Sequence, residues 1–349
     1  MKIFTLLIAV MTITSCSELF IQPITGCKSD DELTVYCGFR NPEDLALTPD
    51  KKFLIVSEFG GMSPLVEMYP GKLSLFDLQD KMKLELSIIY GDDEWGSRNC
   101  SRDQNIPFGP HGIDLITRKD GRHQLAVVSH YPTESVEMFE LRYDENWALE
   151  WKGCINIENQ YYFNDVSLDD DGNFYATHMF DSNYSMINLA WNVFAKSNTG
   201  FVVKWIKDNK FVKLRYTAGS FPNGIALDQE NNNLVVNYNF GDKTILFDMN
   251  NQKQIGIFEH NSPDNVIIKD EFVWVTNHDH SAISALRCSK KTNCTLPFSV
   301  NQISLENLSL INSYKFKSNN MGTGTVGLPH QGSLWIGSYR SDRLAEGRL

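Results

Sequence analysis

The sequence predicts an all-β fold, a six-bladed β-propeller, from three observations. A short segment with apolar residues at alternate positions recurs six times: PEDLAL from Pro42, PHGIDL from Pro110, FNDVSL from Phe163, PNGIAL from Pro222, PDNVII from Pro263 and TGTVGL from Thr323. Each is followed, after a turn, by a strand-like run: FLIVSEF, LAVVSHY, NFYATHM, LVVNYNF, FVWVTNH and SLWIGSY. Most repeats then continue into a third run such as KLSLFDL, VEMFELRY, GFVVKWI or KTILFDM. Period-2 alternation with β-branched and aromatic residues marks these runs as strands. Recurrence at roughly 40 to 70 residues is blade spacing. Six blades fill residues 41–349 of the 349-residue chain as one domain.

Ahead of the repeats, Lys2 precedes an apolar run, Ile3 to Ile13, that is too short to span a bilayer and has the pattern of a signal peptide. Residues 1–15 are therefore expected to be a signal and residues 16–40 a tether with the first disulfide. The stretch Ile13-Thr14-Ser15-Cys16 resembles the lipobox of bacterial lipoproteins. That resemblance implies diacylated Cys16 and a protein anchored in a bacterial cell envelope, with Ser17 compatible with outer-membrane sorting; secretion behind an ordinary signal is the alternative. Setting Cys16 aside leaves six cysteines, an even number suited to an oxidising compartment. The favoured pairs are Cys27 with Cys37, Cys100 with Cys154 and Cys288 with Cys294, which are local or bridge neighbouring blades. The balance of 43 acidic against 32 basic residues disfavours nucleic acid and anionic membrane surfaces as partners.

In the third repeat, FNDVSLDDDGNFYATH has the look of a helix-loop-helix calcium loop at its centre, but that frame puts Ser167 at the first ligand position and His178 at the twelfth, where Asp and Glu are needed. Asp171-Gly172 is better read as a hairpin turn. Asn164 and Asp165 then open the strand that follows. The innermost strand of every blade lines the central channel, so the first residues of all six strands converge on one axis. The first column is Glu43, His111, Asn164, Asn223, Asp264 and Gly324, and the second is Asp44, Gly112, Asp165, Gly224, Asn265 and Thr325. A ring of buried oxygen donors calls for a hard cation, and calcium suits it better than zinc.

The set PED, PHGI, FND, PNGI and PDN, in that order, resembles the paraoxonase/arylesterase-like proteins and their relatives in the gluconolactonase (senescence marker protein) superfamily. The resemblance implies a six-bladed propeller with two calcium ions in the channel, hydrolysing small lactones or esters. By matching motif, Glu43, Asn164, Asn223, Asp264 and Asn265 would hold a catalytic calcium, and Asp44, Asp165 and the carbonyl of Ile113 a structural one. It also implies a histidine dyad at His111 and His130 that activates water, with His278 lining the pocket. The chain departs from the vertebrate pattern in having no cysteine near its C-terminus, so ring closure is left to strand pairing.

Hairpin arithmetic reaches the same dyad: a two-residue loop at Asp120-Gly121 places His111 opposite His130, and one at Asp171-Gly172 places Asp165 opposite His178. His111 would then take a proton from water while the cation stabilises the oxyanion. Loops after the second strands are expected to overhang the site, among them Phe59 to Gly71 and Phe180 to Thr199. Phe59 and Trp191 are pocket candidates, and SMINLAWNVFAKS reads as a short helix that is either a wall of the site or cover for a blade edge. Gly322-x-Gly324-x-x-Gly327 lacks the following helix of a dinucleotide site, and neither a G-x-S-x-G elbow nor a phosphate-cradling loop is present. The expectation is a monomeric calcium-dependent lactonase or arylesterase. A non-catalytic binding or scaffold propeller and a sugar-lactone hydrolase are the alternatives.

Overall fold

The predicted strands are mostly apolar on both faces outside the channel columns, and in the computed structural model they pack between neighbouring blades. The structure describes residues 24–349 apart from 64–66, 99, 158–159, 208–210, 282–283, 286–287, 289–293 and 318–319. The signal-peptide and Cys16 readings lie outside the described residues.

Six sheets are arranged in sequence order. The first blade runs Pro42–Leu47, Phe53–Glu58, Lys72–Asp77, Met82–Glu85 from inside to outside. The second runs Pro110–Thr117, His123–Ser129, Ser135–Tyr143, Trp147–Asn156, with Ser87–Tyr90 added in parallel at its outer edge. The third is Tyr161–Leu168, Phe174–Asp181, Gly200–Trp205, Val212–Gly219, and the fourth is Pro222–Asp228, Asn233–Tyr238, Lys243–Asp248, Lys253–Glu259. Pro263–Lys269, Phe272–His278, Phe298–Ser304 and Leu310–Phe316 make the fifth. The sixth combines Gly327–His330, Ser333–Ile336 and Arg343–Arg348 with Thr34–Cys37.

That last pairing corrects the domain reading. Thr34–Cys37, assigned to the tether, is the outermost strand of the sixth blade, in antiparallel register from Thr34 opposite Glu346 to Cys37 opposite Arg343. Its alternation explains why: Leu33 and Val35 are buried with Trp274, Phe298 and Leu334. The disulfides are Cys27–Cys37, Cys100–Cys154 and Cys288–Cys294.

Six apolar clusters each join two adjacent blades, the direct result of period-2 alternation. On Phe53–Glu58, Ile55 turns towards the second blade with Leu125 and Val127, while Leu54 and Val56 turn towards the sixth with Trp335 and Leu344. Polar side chains add ties near the axis. Ser57 donates to the His111 carbonyl (2.6 Å), Thr177 to that of Asn223 (2.5 Å), Asn237 to that of Asp264 (2.5 Å) and Thr325 to that of Glu43 (2.5 Å). These bonds pin the backbone of channel-mouth residues in four blades.

The hairpin registers differ from those expected. Thr117 lies opposite His123 and Leu168 opposite Phe174, one residue away from a two-residue loop in each case. Both loops hold three residues: Gly121 N–H bonds Arg118 C=O and Gly172 N–H bonds Asp169 C=O (2.9 Å each), with Gly121 at φ +83° and Gly172 at φ +87°. The glycine occupies the left-handed position that closes a three-residue hairpin, so it does not share a two-residue turn. A second irregularity follows at the channel mouth, so Ser129 pairs with Pro110, and Phe163, in place of Asp165, faces His178. Asp165 N–H instead reaches Thr177 Oγ1 at 3.1 Å.

Candidate active site

Strict alternation would send successive residues to opposite faces, yet Glu43 with Asp44, Asn164 with Asp165 and Asp264 with Asn265 are all buried at the axis. Register shifts explain this: the inner pairing slips between Pro42 and Asp44, Phe163 and Val166, Pro222 and Ile225, and Pro263 and Val266. A bulge at this point re-aims side chains, and the same device recurs from blade to blade. Glycines in the second column admit the neighbours. A Cβ on Gly112 would lie 2.4 Å from Asp165 Oδ1, and one on Gly224 would lie 2.5 Å from the Asp264 carbonyl.

The upper ring contains Glu43, Asn164, Asn223, Asp264 and Asn265, each less than a tenth exposed. Asn265 Nδ2 donates to Glu43 Oε1 at 3.0 Å. Glu43 Oε2, Asn223 Oδ1 and Asn265 Oδ1 are buried and accept no hydrogen bond. Burial, then repulsion from Asp44, Asp264 and Asp165, pushes the Glu43 carboxyl well above the usual carboxylate range. Buried oxygens without donors beside crowded carboxylates are the coordination chemistry of a hard, oxygen-ligated cation, and the residues fit one.

Below them, Asp44 accepts from Leu45 N–H and from Ile113 N–H of the next blade, both at 2.8 Å. Asp165 repeats the pattern with Val166 N–H (2.8 Å) and Ile225 N–H (2.9 Å). Burial raises the Asp44 carboxyl to about 7 despite those bonds, and raises Asp165 well above its ordinary value, with Asp44 adding repulsion. Asp114, absent from the sequence reading, is a third carboxylate here, raised by burial to about 6 and bonded by Leu168 N–H at 2.7 Å. Asp44 and Asp165 thus stitch blades together whatever else they hold. The Asp169, Asp170 and Asp171 carboxylates approach one another on their turn, where Asp169 accepts from Asp171 N–H and Asn173 N–H and Lys119 bridges the other two. They serve the hairpin.

At the mouth, His111 Nδ1 and His130 Nε2 are 2.8 Å apart. The pair meets although the two residues are not register partners, because His130 is one residue past its strand, with its N–H on the Gly109 carbonyl at 2.9 Å. His111 Nε2 faces Glu43 Oε1 at 3.7 Å, too far for a direct hydrogen bond. Burial and the neighbouring His130 hold His111 well below the usual imidazole range. Sequence reasoning missed Glu134, whose Oε1 lies 2.7 Å from His130 Nδ1. The only available signal was that a paired histidine needs a partner for its second nitrogen.

Aromatic rings wall one side of the mouth. Phe59 covers His111 (4.6 Å between centroids), Tyr162 covers His130 (4.4 Å), and Phe180, Phe221 and Phe240 continue the arc at spacings of 4.7, 6.0 and 4.8 Å. The opposite side is more polar: His278 stacks on His280 (5.1 Å) beside Tyr339 (6.0 Å). His278 Nε2 comes within 2.9 Å of Asp264 Oδ2 but lacks the alignment of a hydrogen bond, which places this residue at the ring. His178 is structural, its Nδ1 accepting Tyr162 N–H at 3.3 Å. The expected helix is present as Met186–Ala195, capped by Ser185, but none of its residues is buried. Trp191, a pocket candidate, is instead 65 % exposed beside Phe194. The helix is tied down by its capped ends, by a Lys196–Asp242 ion pair and by a half-buried face of Leu189, Asn192 and Val193.

Residues 38–339 match the arylesterase family, a span that includes every channel residue from Glu43 to Tyr339. The chain belongs to the arylesterase family. Among solved structures it resembles a luciferin-regenerating enzyme (12 % identity, TM-score 0.52, covering 90 % of this chain and 94 % of that one). It also resembles a gluconolactonase from Xanthomonas campestris (12 % identity, TM-score 0.52, 95 % of each chain) and a putative gluconolactonase (12 % identity, TM-score 0.50, 94 % and 98 %). At that identity they share the fold of this arylesterase-family chain. No curated protein sequence matches it.

Proposed function

We propose that the protein is a calcium-dependent hydrolase of small lactones or aryl esters. Family membership supports an ester- or lactone-type hydrolase acting on a small molecule. The observation that carries the finer reading is the placement of His111 Nε2 3.7 Å from Glu43, within a ring in which Glu43 Oε2, Asn223 Oδ1 and Asn265 Oδ1 lack donors. Glu43, Asn164, Asn223, Asp264 and Asn265 would hold the catalytic calcium; Asp44 and Asp165, with the Ile113 carbonyl, are the proposed second site. When bound, calcium supplies a Lewis acid for the carbonyl oxygen. His111 Nε2 accepts the proton of the attacking water, and His111 Nδ1 hands positive charge on to His130. Phe59, Tyr162, Phe180, Phe221 and Phe240 exclude water and offer stacking surface, which supports an aryl or acyl substrate over a sugar lactone. The lipobox-like Cys16 supports a lipid-anchored protein of the cell envelope. Metabolic labelling with a tritiated fatty acid checks this, since Cys16→Ser would leave the protein unlabelled.

The test of function is hydrolysis of phenyl acetate, dihydrocoumarin, an acyl-homoserine lactone and gluconolactone, with calcium and after metal removal. The expected outcome is calcium-dependent turnover of the first three, reduced by about 100-fold or more in Asn223→Ala and in His111→Ala. Undiminished turnover after metal removal, or in His111→Ala, would sink the mechanism. Stabilisation by calcium without turnover of any substrate would favour a binding propeller.

A further inference from the structure

The dyad consists of two rings and therefore four nitrogens, and their contacts set their order in space. His130 Nδ1 meets Glu134 Oε1 at 2.7 Å, His130 Nε2 meets His111 Nδ1 at 2.8 Å, and His111 Nε2 faces the channel. An ionised carboxylate can only accept, so the proton of this first bond sits on His130 Nδ1. A neutral His130 then has its lone pair on Nε2 and must accept, so His111 Nδ1 carries the next proton. His111 is left with its lone pair on Nε2, on the side facing Glu43. Without Glu134 either ring could flip its tautomer, the bond between them could run in the reverse direction, and His111 Nε2 would then carry a hydrogen where a base is needed.

We infer that Glu134 is a positioning residue that fixes the direction of the dyad's hydrogen bonds and so delivers the free lone pair to His111 Nε2. The inference deepens the hydrolase reading and rests on it for its consequence in turnover, but the tautomers can be read without any turnover. The proton balance closes. His111 Nε2 gains a proton from water, His111 Nδ1 passes its own to His130 Nε2, and the resulting His130 cation, protonated at both nitrogens, faces the Glu134 carboxylate. Release reverses the two transfers. The supports are in place to hold this geometry: Tyr162 stacks on the His130 ring with an interplanar angle of 4°, and the Glu134 carbonyl accepts Ile157 N–H at 3.2 Å, fixing its loop to the second blade. The His130 side chain is 1 % exposed and that of Glu134 21 %, with Glu134 Oε2 itself buried and accepting no hydrogen bond.

The experiment is long-range proton–nitrogen NMR of the imidazole rings in the full chain labelled with nitrogen-15, with signals assigned through His111→Gln and His130→Gln. The expected result is that both rings are Nδ1–H tautomers in the unsubstituted protein at neutral pH. A predominant Nε2–H form at His130 or His111 overturns the inference without any variant. Glu134→Ala should shift both rings towards the Nε2–H form and lower kcat by about tenfold or more with KM within about twofold. Glu134→Gln keeps an acceptor oxygen and should retain the tautomers, recovering part of kcat. Unchanged tautomers in Glu134→Ala would also overturn the inference. If the tautomers behave as expected but no substrate turns over, the hydrolase reading fails and the positioning role stands.

Discussion

Glu43 is the side chain on which most of the site converges: one oxygen accepts from Asn265 and faces His111, and the other has no donor. Its neighbours make a pH prediction possible. The folded protein holds Asp44 at about 7 and Asp114 at about 6, against an ordinary value of 3.8. A carboxyl raised on folding binds its proton more tightly in the native state, so its contribution is fully present below about pH 4 and is lost as pH rises through the folded value. Metal-free protein should therefore lose stability between about pH 4 and 7, by on the order of a few kcal/mol. Calcium should flatten that loss. Thermal melts of stripped protein at pH 5 and pH 8, each repeated with calcium, check it; a melting temperature that rises with pH without metal would contradict it. The columns containing Glu43 and Asp44 were legible because blade repetition aligns them. Glu134 was not, because it lies in a loop that no repeat constrains, and Asp114 was hidden because it sits two positions past the aligned pair His111 and Gly112.

At the scale of strands and turns, two contrasting substitutions separate packed from unpacked elements. Gly224→Ala places a methyl 2.5 Å from the Asp264 carbonyl and 2.7 Å from Asn265 Cα, atoms of the backbone itself. It should cost about 1 to 3 kcal/mol in urea unfolding and weaken calcium binding, because the strand carrying Asp264 and Asn265 has to move. Trp191→Ser on Met186–Ala195 should change stability by less than about 0.5 kcal/mol, since no residue of that helix is buried. If the second variant proved the more damaging, the helix would have a partner that its exposure does not show. Strand positions and the helix could be read from alternation and apolar spacing. The registers could not, because Asp-Gly permits both two- and three-residue turns, and the slip at the channel mouth has no compositional mark. The second strands also carry an aligned polar column, Ser57, Ser129, Thr177, Asn237 and Thr276, three of whose members tie one blade to the next.

At the scale of the molecule, six nearly equivalent interfaces hold the ring, and the joint between Thr34–Cys37 and Arg343–Arg348 closes it. Removing residues 24–38 should lower the melting temperature by several degrees or more, because Leu33 and Val35 leave the cluster around Trp274, Phe298 and Leu334. A melt unchanged by that truncation would show that three strands suffice for the sixth blade. The blade count was legible from the repeat alone, whereas the origin of the sixth blade's outermost strand was not, because Thr34–Cys37 precedes the first repeat in the chain.

The joint also imposes an order on synthesis. Thr34–Cys37 is made before any complete blade and Arg343–Arg348 after all the others, yet each is the other's lateral partner. Until the final strand is translated, the early one has no sheet to join, and a chain cut short by even a few residues leaves the sixth blade unfinished. A product lacking Arg343–Arg348, with its ring open, would present an unpaired strand edge to proteases and chaperones.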